Sequence, residues 1–181
     1  MSIEEQQEIK SNAYSEAMRY MENAKATLQK AGKEDDQYHD VKYVRTACGT
    51  AYNGILLALD AYLQLKDVEM PKKKRRSIEF YTSHVAQIDK KLLVCVNRAY
   101  DTLHLWGYYD GTDDAVVIKR GFDYAYQIID KIKPDHVQKL PPPPKPSPLK
   151  RIYTFIYLTC FIPCWYFFKI FKSVRLTFHQ S

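Results

Sequence analysis

The sequence predicts an all-α protein whose main domain is an up-and-down four-helix bundle. Apolar residues make up 46% of the 181 residues, enough for a hydrophobic core. They recur at alternating spacings of three and four in four segments, which is typical of amphipathic helices, and no stretch alternates as a half-buried strand does. Short polar connections separate the segments. Helices that share such a heptad seam are expected to cross at about 20°.

The first two helices begin at clear caps. Ser2 followed by Glu5 predicts a capping box, and Gly32 ends the first helix. Residues 33–39 predict a polar connection, after which Asp40 caps the second helix. Small residues beside the apolar stripe of this second helix predict the close approach of a neighbouring helix: Ala47, Gly49, Gly54 and Ala61.

The third and fourth helices follow a basic connection. Ser77 opens the third helix, whose apolar stripe continues to Trp106. Asp110-Gly111 predicts a turn, and Thr112 is the expected N-cap of the fourth helix. Pro134 stops that helix.

Three regions follow from this pattern. Residues 1–133 form the predicted bundle, and the proline-rich residues 134–149 predict an extended linker. Residues 150–181 form a hydrophobic tail in which Ile152 to Phe168 carry no charge and are flanked by Lys and Arg. As a helix these 17 residues would be about 25 Å long, slightly short of a bilayer core of about 30 Å. Residues 152–171 therefore predict membrane contact, with an interfacial helix or a functionless extension as alternatives.

Charge and cysteine content indicate a compartment. Residues 1–133 carry 20 Lys and Arg against 20 Asp and Glu, so the net charge of +6 belongs to residues 134–181. This distribution does not favour a nucleic-acid-binding domain on charge alone. The acidic N-terminus does not resemble a signal peptide, and Cys48 and Cys95 fall on apolar stripes. We expect a cytoplasmic bundle in a reducing compartment, attached by its tail to the inner face of a membrane.

The sequence lacks the motifs of most familiar enzyme classes. It has no glycine-rich phosphate loop, no Gly-x-Ser-x-Gly elbow and no His-Glu-x-x-His. Only Asp101 and His104 have the spacing of a di-iron bundle ligand pair, and a second pair is missing. Cys160 and Cys164 lie one helical turn apart but supply only two ligands. The sequence therefore predicts neither a metal site nor a cofactor.

A basic run precedes the third helix. It consists of Lys72, Lys73, Lys74, Arg75 and Arg76. Such a run is able to bind phosphates or acidic lipid head groups, or to serve as a nuclear signal. The alternative is a solvated loop, because the sequence shows no aromatic residues beside the run for nucleobases to stack on.

Arg98 and His104 form the other candidate site. On an ideal α-helix the two side chains project about 120° apart, so they converge only across a second subunit or where the helix loosens toward Gly107. Here the chain resembles an uncharacterised bacterial family of HEPN-like four-helix bundles. Four stretches carry the resemblance: Tyr-Met-Glu-Asn-Ala-Lys at 20–25, Lys-Tyr-Val-Arg at 42–45, Thr-Ala-Tyr-Asn-Gly at 50–54 and Ala-Tyr-Asp-Thr-Leu-His-Leu at 99–105.

The resemblance implies a function for this pair. Active members of the HEPN superfamily are metal-independent ribonucleases that dimerise through an Arg-x4-6-His motif. By position, Arg98 would stabilise the scissile phosphate and His104 would assist proton transfer. Ala99 and Trp106 replace residues that are commonly a polar residue and a tyrosine in such relatives. We therefore expect a homodimeric binding module with an RNA or protein partner, and the ribonuclease is the alternative.

Overall fold

The described part of the chain is all-helical apart from one short hairpin. The computed structural model describes residues 1–71 and 76–134. Within these ranges the elements are α1 (Ile3–Gln29), β1 (Lys33–Glu34), β2 (Gln37–Tyr38), α2 (Val41–Gln64), α3 (Ile78–Ile88), α4 (Lys90–Ala99), a π-helix (Tyr100–Asp110), α5 (Ala115–Ile129) and a 3₁₀ turn (Asp130–Ile132). We call Tyr100–Asp110 the π segment.

The caps predicted for the first two helices are confirmed. The Ser2 hydroxyl accepts from the Glu5 N–H at 3.1 Å, and the Glu5 carboxylate accepts from the Ser2 N–H at 3.3 Å. The Asp40 carboxylate accepts from the Lys42 N–H at 2.9 Å. These oxygens satisfy amide groups that have no partner inside their helices.

Helix α2 lies at the centre of the fold, because α1, the π segment and α5 all pack against it. Gly54 permits the close packing of α1, since a Cβ at this position would lie 2.9 Å from Tyr20 Cβ. The core between these elements consists mainly of aliphatic side chains and alanine. Its largest fully buried members include Met21, Ile55, Leu59, Leu63, Leu92, Leu103, Ile118, Ile128, Ile129 and Ile132.

The continuous third helix predicted from Ser77 to Trp106 is wrong at two points. Asp89 adopts an extended backbone conformation (φ −147°, ψ 95°) and separates α3 from α4. Its carboxylate accepts from the Leu92 N–H at 2.9 Å and from Lys131 Nζ at 2.6 Å, so one side chain caps α4 and ties it to the chain after α5. The apolar stripe continues across this break, which explains why periodicity did not reveal it.

The second departure is the change from α to π geometry at Tyr100. Here the Thr102 hydroxyl donates to the Arg98 carbonyl at 2.7 Å, the oxygen that the Thr102 N–H would bind in an α-helix. Gly107 packs so closely on α2 that a Cβ there would lie 2.5 Å from Cys48 Sγ. The close approach at Gly107 holds the wider π turn against α2.

The guanidinium of Arg45 caps the end of the π segment. Its Nη1 donates to the carbonyls of Tyr108 (3.2 Å) and Tyr109 (2.6 Å), and its Nη2 donates to that of Asp110 (2.7 Å). Gly111 follows with φ +74°, a conformation that favours glycine. A Cβ on Gly111 would also lie 2.6 Å from Arg45 Nη2.

Two connections differ from the sequence prediction. The polar connection at 33–39 contains the β1–β2 hairpin, which pairs Lys33 with Tyr38. Asp114, not Thr112, is the N-cap of α5, because its carboxylate accepts from the N–H groups of Val116 (2.8 Å) and Val117 (3.0 Å). Thr112 Oγ1 instead accepts from the Asp114 N–H at 3.3 Å.

Some predictions fall on residues that are not described. The proline-rich linker from residue 135 onward and the tail at 150–181 lie outside the described residues. Among the residues that are described, no helix is both long enough and apolar enough to cross a bilayer.

Replacing Gly111 by alanine is expected to destabilise the domain by about 2 kcal/mol or more, since the new Cβ meets a positive φ and the Arg45 guanidinium. Gly32→Ala is the matched control, because Gly32 also has a positive φ (+63°) but its Cβ would meet only the His39 ring edge at 3.3 Å. We expect a loss of about 1 kcal/mol for the control. Urea unfolding measures both, and equal losses would contradict the capping role of Arg45.

Replacing Asp89 by alanine is expected to cost about 1–2 kcal/mol of unfolding free energy, because the cap of α4 is lost. Asp89→Asn keeps a capping oxygen and loses the ion pair with Lys131, so its cost should be smaller.

The effect of Asp89→Asn should also depend on pH. The hydrogen bonds from Lys131 and the Leu92 N–H hold the pKa of Asp89 below its usual 3.8. The folded state therefore gains stability above the unfolded pKa and loses it as the pH falls through the folded pKa. Urea unfolding should show the difference between wild type and Asp89→Asn at pH 7 shrinking below about pH 4. A difference that is constant across this range would contradict the ion pair.

Candidate functional site

His104 lies within a column of aromatic rings on the π segment. Its ring stacks on Tyr52 of α2 with centroids 4.6 Å apart, and on Tyr100 and Tyr108 at 5.1 Å and 5.9 Å. The Tyr109 ring meets it edge-on at 5.2 Å. Side chains four and five positions apart share a face of this helix, as expected for hydrogen bonds between residues i and i+5. We call these five residues the aromatic strip.

One end of the aromatic strip borders a surface pocket of about 350 Å³. The pocket lies between α2 and the π segment on one side and the start of α3 on the other. Its lining comprises Tyr52, Leu56, Arg76, Ser77, Ile78, Glu79, Tyr100 and His104. Two candidates that the sequence placed far apart, the end of the basic run and His104, therefore share one pocket.

Arg76 is fixed at the pocket by an internal network. Its guanidinium forms an ion pair with Asp60 and donates through Nε to the Tyr81 hydroxyl at 3.2 Å. The Tyr81 hydroxyl donates to the other Asp60 oxygen at 2.7 Å. Burial and the carboxylate of Asp60 raise the pKa of Tyr81 to about 12, so its hydroxyl stays protonated. The network holds one edge of the guanidinium and sets the direction of the remaining N–H groups.

Only the last residue of the basic run, Arg76, falls within the described residues. Lys72, Lys73, Lys74 and Arg75 lie outside the described residues. In the sequence, these four positively charged residues directly precede Arg76.

Glu79 brings a negative charge to the same pocket. The Ser77 hydroxyl and the backbone N–H of Glu79 bind its carboxylate and lower its pKa. The carboxylate therefore stays ionised and occupies the positive end of α3. It is able to accept hydrogen bonds from the hydroxyl or amino groups of a ligand.

Arg98 occupies the last turn of α4 and is exposed. The described lining of the pocket does not include it. His104, in contrast, is half-buried in the aromatic strip. Within one chain, His104 therefore lies with tyrosines and Arg76 around one cavity. The Arg98 and His104 site across two subunits stays a prediction.

Cys48 and Cys95, the two cysteines in the described ranges, show no reactive environment. Burial raises the pKa of the Cys48 thiol to about 12, so the thiol stays protonated. Cys95 is half-buried, and its thiol donates to Gln127 Oε1 at 3.4 Å. Over residues 1–71 and 76–134, no three His, Cys, Asp or Glu residues are grouped as metal ligands. Cys160 and Cys164 lie outside these ranges.

Sequence reasoning missed several contributors to this region, among them Arg45, Tyr52 and Tyr100. The repeat of aromatic residues every four positions at 100, 104 and 108 was a usable signal for the strip. Arg45 left no such signal, because its partners are backbone carbonyls more than sixty residues away.

Comparison with known proteins identifies relatives of this fold. Residues 12–134 match a family described as a domain of unknown function, DUF5618. A solved structure of a protein of unknown function from Dyadobacter fermentans is 46% identical, covers 67% of this chain and 94% of its own, and superposes with a TM-score of 0.62. No protein with a curated description matches. The chain therefore belongs to the DUF5618 family.

Proposed function

We propose that this domain is a binding module that takes single-stranded RNA at the His104 pocket without cleaving it. One observation carries the proposal: Arg76, the last residue of the basic run, lines the same pocket as Tyr52, Tyr100 and His104. Single-strand binders combine aromatic rings that stack on bases with cations that attract the backbone. The sequence indicated only the cations of the basic run, and the fold brings aromatic rings next to Arg76.

The geometry supports a division of roles around the pocket. Tyr100 and His104 line a cavity large enough for a nucleobase, and Arg76 is held in place for a phosphate by Asp60 and Tyr81. Lys72 to Arg75 would add attraction that depends on ionic strength. The Glu79 carboxylate would accept from a ribose 2′-hydroxyl or a base amino group.

The wider architecture belongs to the same proposal. We infer a HEPN-like four-helix bundle, because the domain contains four long helical segments: α1, α2, the consecutive α3, α4 and π segment, and α5. We also propose a homodimer with a tail that contacts the inner membrane through residues 152–171.

Tyr100→Ala is expected to weaken the binding of single-stranded RNA by the full chain about tenfold, because one stacking contact is lost. Fluorescence anisotropy with a labelled oligouridine measures the dissociation constant, and thermal unfolding checks that the variant is folded. Tyr126→Ala is the matched control, since this half-buried tyrosine lies on α5 beneath Lys25. Equal binding by the wild type and Tyr100→Ala would refute the pocket as the RNA site.

Replacing Lys72 to Arg75 by serine should lower the salt dependence of the same binding. Each phosphate contact contributes about 0.7 to the slope of log K against log salt for single strands, so the slope should fall by up to about 3. A slope that does not change would exclude these four residues from the RNA contact.

We expect RNA to stay intact when it is incubated with the full chain without metal, because Ala99 and Trp106 replace the polar residue and the tyrosine that are common in active HEPN relatives. Gel electrophoresis of labelled RNA makes the test. Cleavage that disappears in both Arg98→Ala and His104→Ala would overturn this expectation and establish the ribonuclease alternative.

A further inference from the structure

The far end of the aromatic strip presents two exposed tyrosines. Tyr108 and Tyr109 are 45% and 62% exposed, and their rings meet edge-on with centroids 5.3 Å apart. We call this pair the tyrosine face. It is distinct from the RNA pocket, whose described lining includes neither residue.

The tyrosine face is held in place before any partner binds. Arg45 binds the carbonyls of both tyrosines, and Tyr108 lies against α2 so closely that a Cβ on Gly49 would be 3.0 Å from its ring. The His104 ring contacts both rings from below. Because these rings are already ordered, a partner that docks on them loses little side-chain entropy on their account.

Acidic residues are frequent in the two segments that meet near this end of the domain. The Tyr38 N–H donates to the Asp113 carbonyl and the Ala115 N–H donates to the Asp36 carbonyl, both at 2.8 Å, so the hairpin lies beside the start of α5. Residues 33–45 and 106–116 together contain three basic residues and seven acidic ones, namely Glu34, Asp35, Asp36, Asp40, Asp110, Asp113 and Asp114. Arg45 keeps its charge while its donors bind backbone carbonyls, and Lys33 forms an ion pair with Asp36. Three basic and seven acidic residues leave these segments a net charge of −4.

We propose that the tyrosine face binds a segment of a partner protein rich in lysine and arginine. Charge complementarity selects this occupant, because the acidic surroundings attract cations and repel nucleic acids and acidic peptides. Lysine and arginine also pack their stems and charged groups on tyrosine rings. The chain shows this pairing within itself: Lys25 Nζ lies 4.6 Å from the Tyr126 ring centroid, and Lys66 Nζ lies 5.9 Å from that of Tyr62.

The test mixes the full chain with a labelled short peptide of alternating lysine and arginine. Fluorescence anisotropy measures the dissociation constant at low and at moderate salt. Tyr109→Ala should weaken binding about fivefold, whereas Tyr109→Phe should keep it, because the phenyl face remains. Asp110→Asn combined with Asp113→Asn should also weaken binding and reduce its dependence on salt. Tyr126→Ala serves as the control variant and should bind as the wild type does.

Three results would overturn the proposal. The first is no binding of the peptide at low salt, and the second is binding that Tyr109→Ala leaves unchanged. The third is self-association of the chain that Tyr109→Ala abolishes, measured by light scattering, which would assign the face to a second copy. Tyr100→Ala separates this proposal from the RNA site, since it should weaken RNA binding and leave peptide binding intact.

Discussion

One guanidinium satisfies three carbonyl groups at the end of the π segment, and much of the fold depends on this contact. Arg45 projects from the first half of α2 and reaches residues 108, 109 and 110. The last carbonyls of a helix have no partner inside it, and a wide helix that ends in a tight turn gives them few alternatives. By binding them, Arg45 joins the central helix to the end of the π segment and leaves Gly111 to reverse the chain with a positive φ.

The aromatic strip connects two ends of opposite charge. At one end, Arg76 lines a pocket with Tyr100 and His104. At the other, Asp110 directly follows Tyr109, and the acidic hairpin is hydrogen-bonded to residues 113 and 115. Residues 1–133 have no net formal charge, but their basic and acidic residues are unevenly distributed. On the two proposals, ligands of opposite charge would bind different surfaces of the same domain.

The sequence predicted the helical class, the caps at Ser2 and Asp40, and the small residues where α1 and α2 approach closely. These features are local or periodic, so a single chain displays them. The break at Asp89 and the π geometry after Tyr100 did not appear, since the apolar stripe passes through both. For the site, His104 and Arg76 were singled out separately. Their meeting depends on the packing of α3 against α2, which no local pattern encodes.

In the π segment, the number of residues matters as much for the structure as their identity. A helix with i→i+5 bonds holds more residues per turn than an α-helix, so losing one residue between Tyr100 and Gly111 favours a return to α geometry. Each α-helical residue advances the side chains by about 100°, so such a deletion would rotate the residues that follow it relative to α2. A homologue one residue shorter here would keep every tyrosine and still place Tyr108 and Tyr109 differently against α2 and Arg45.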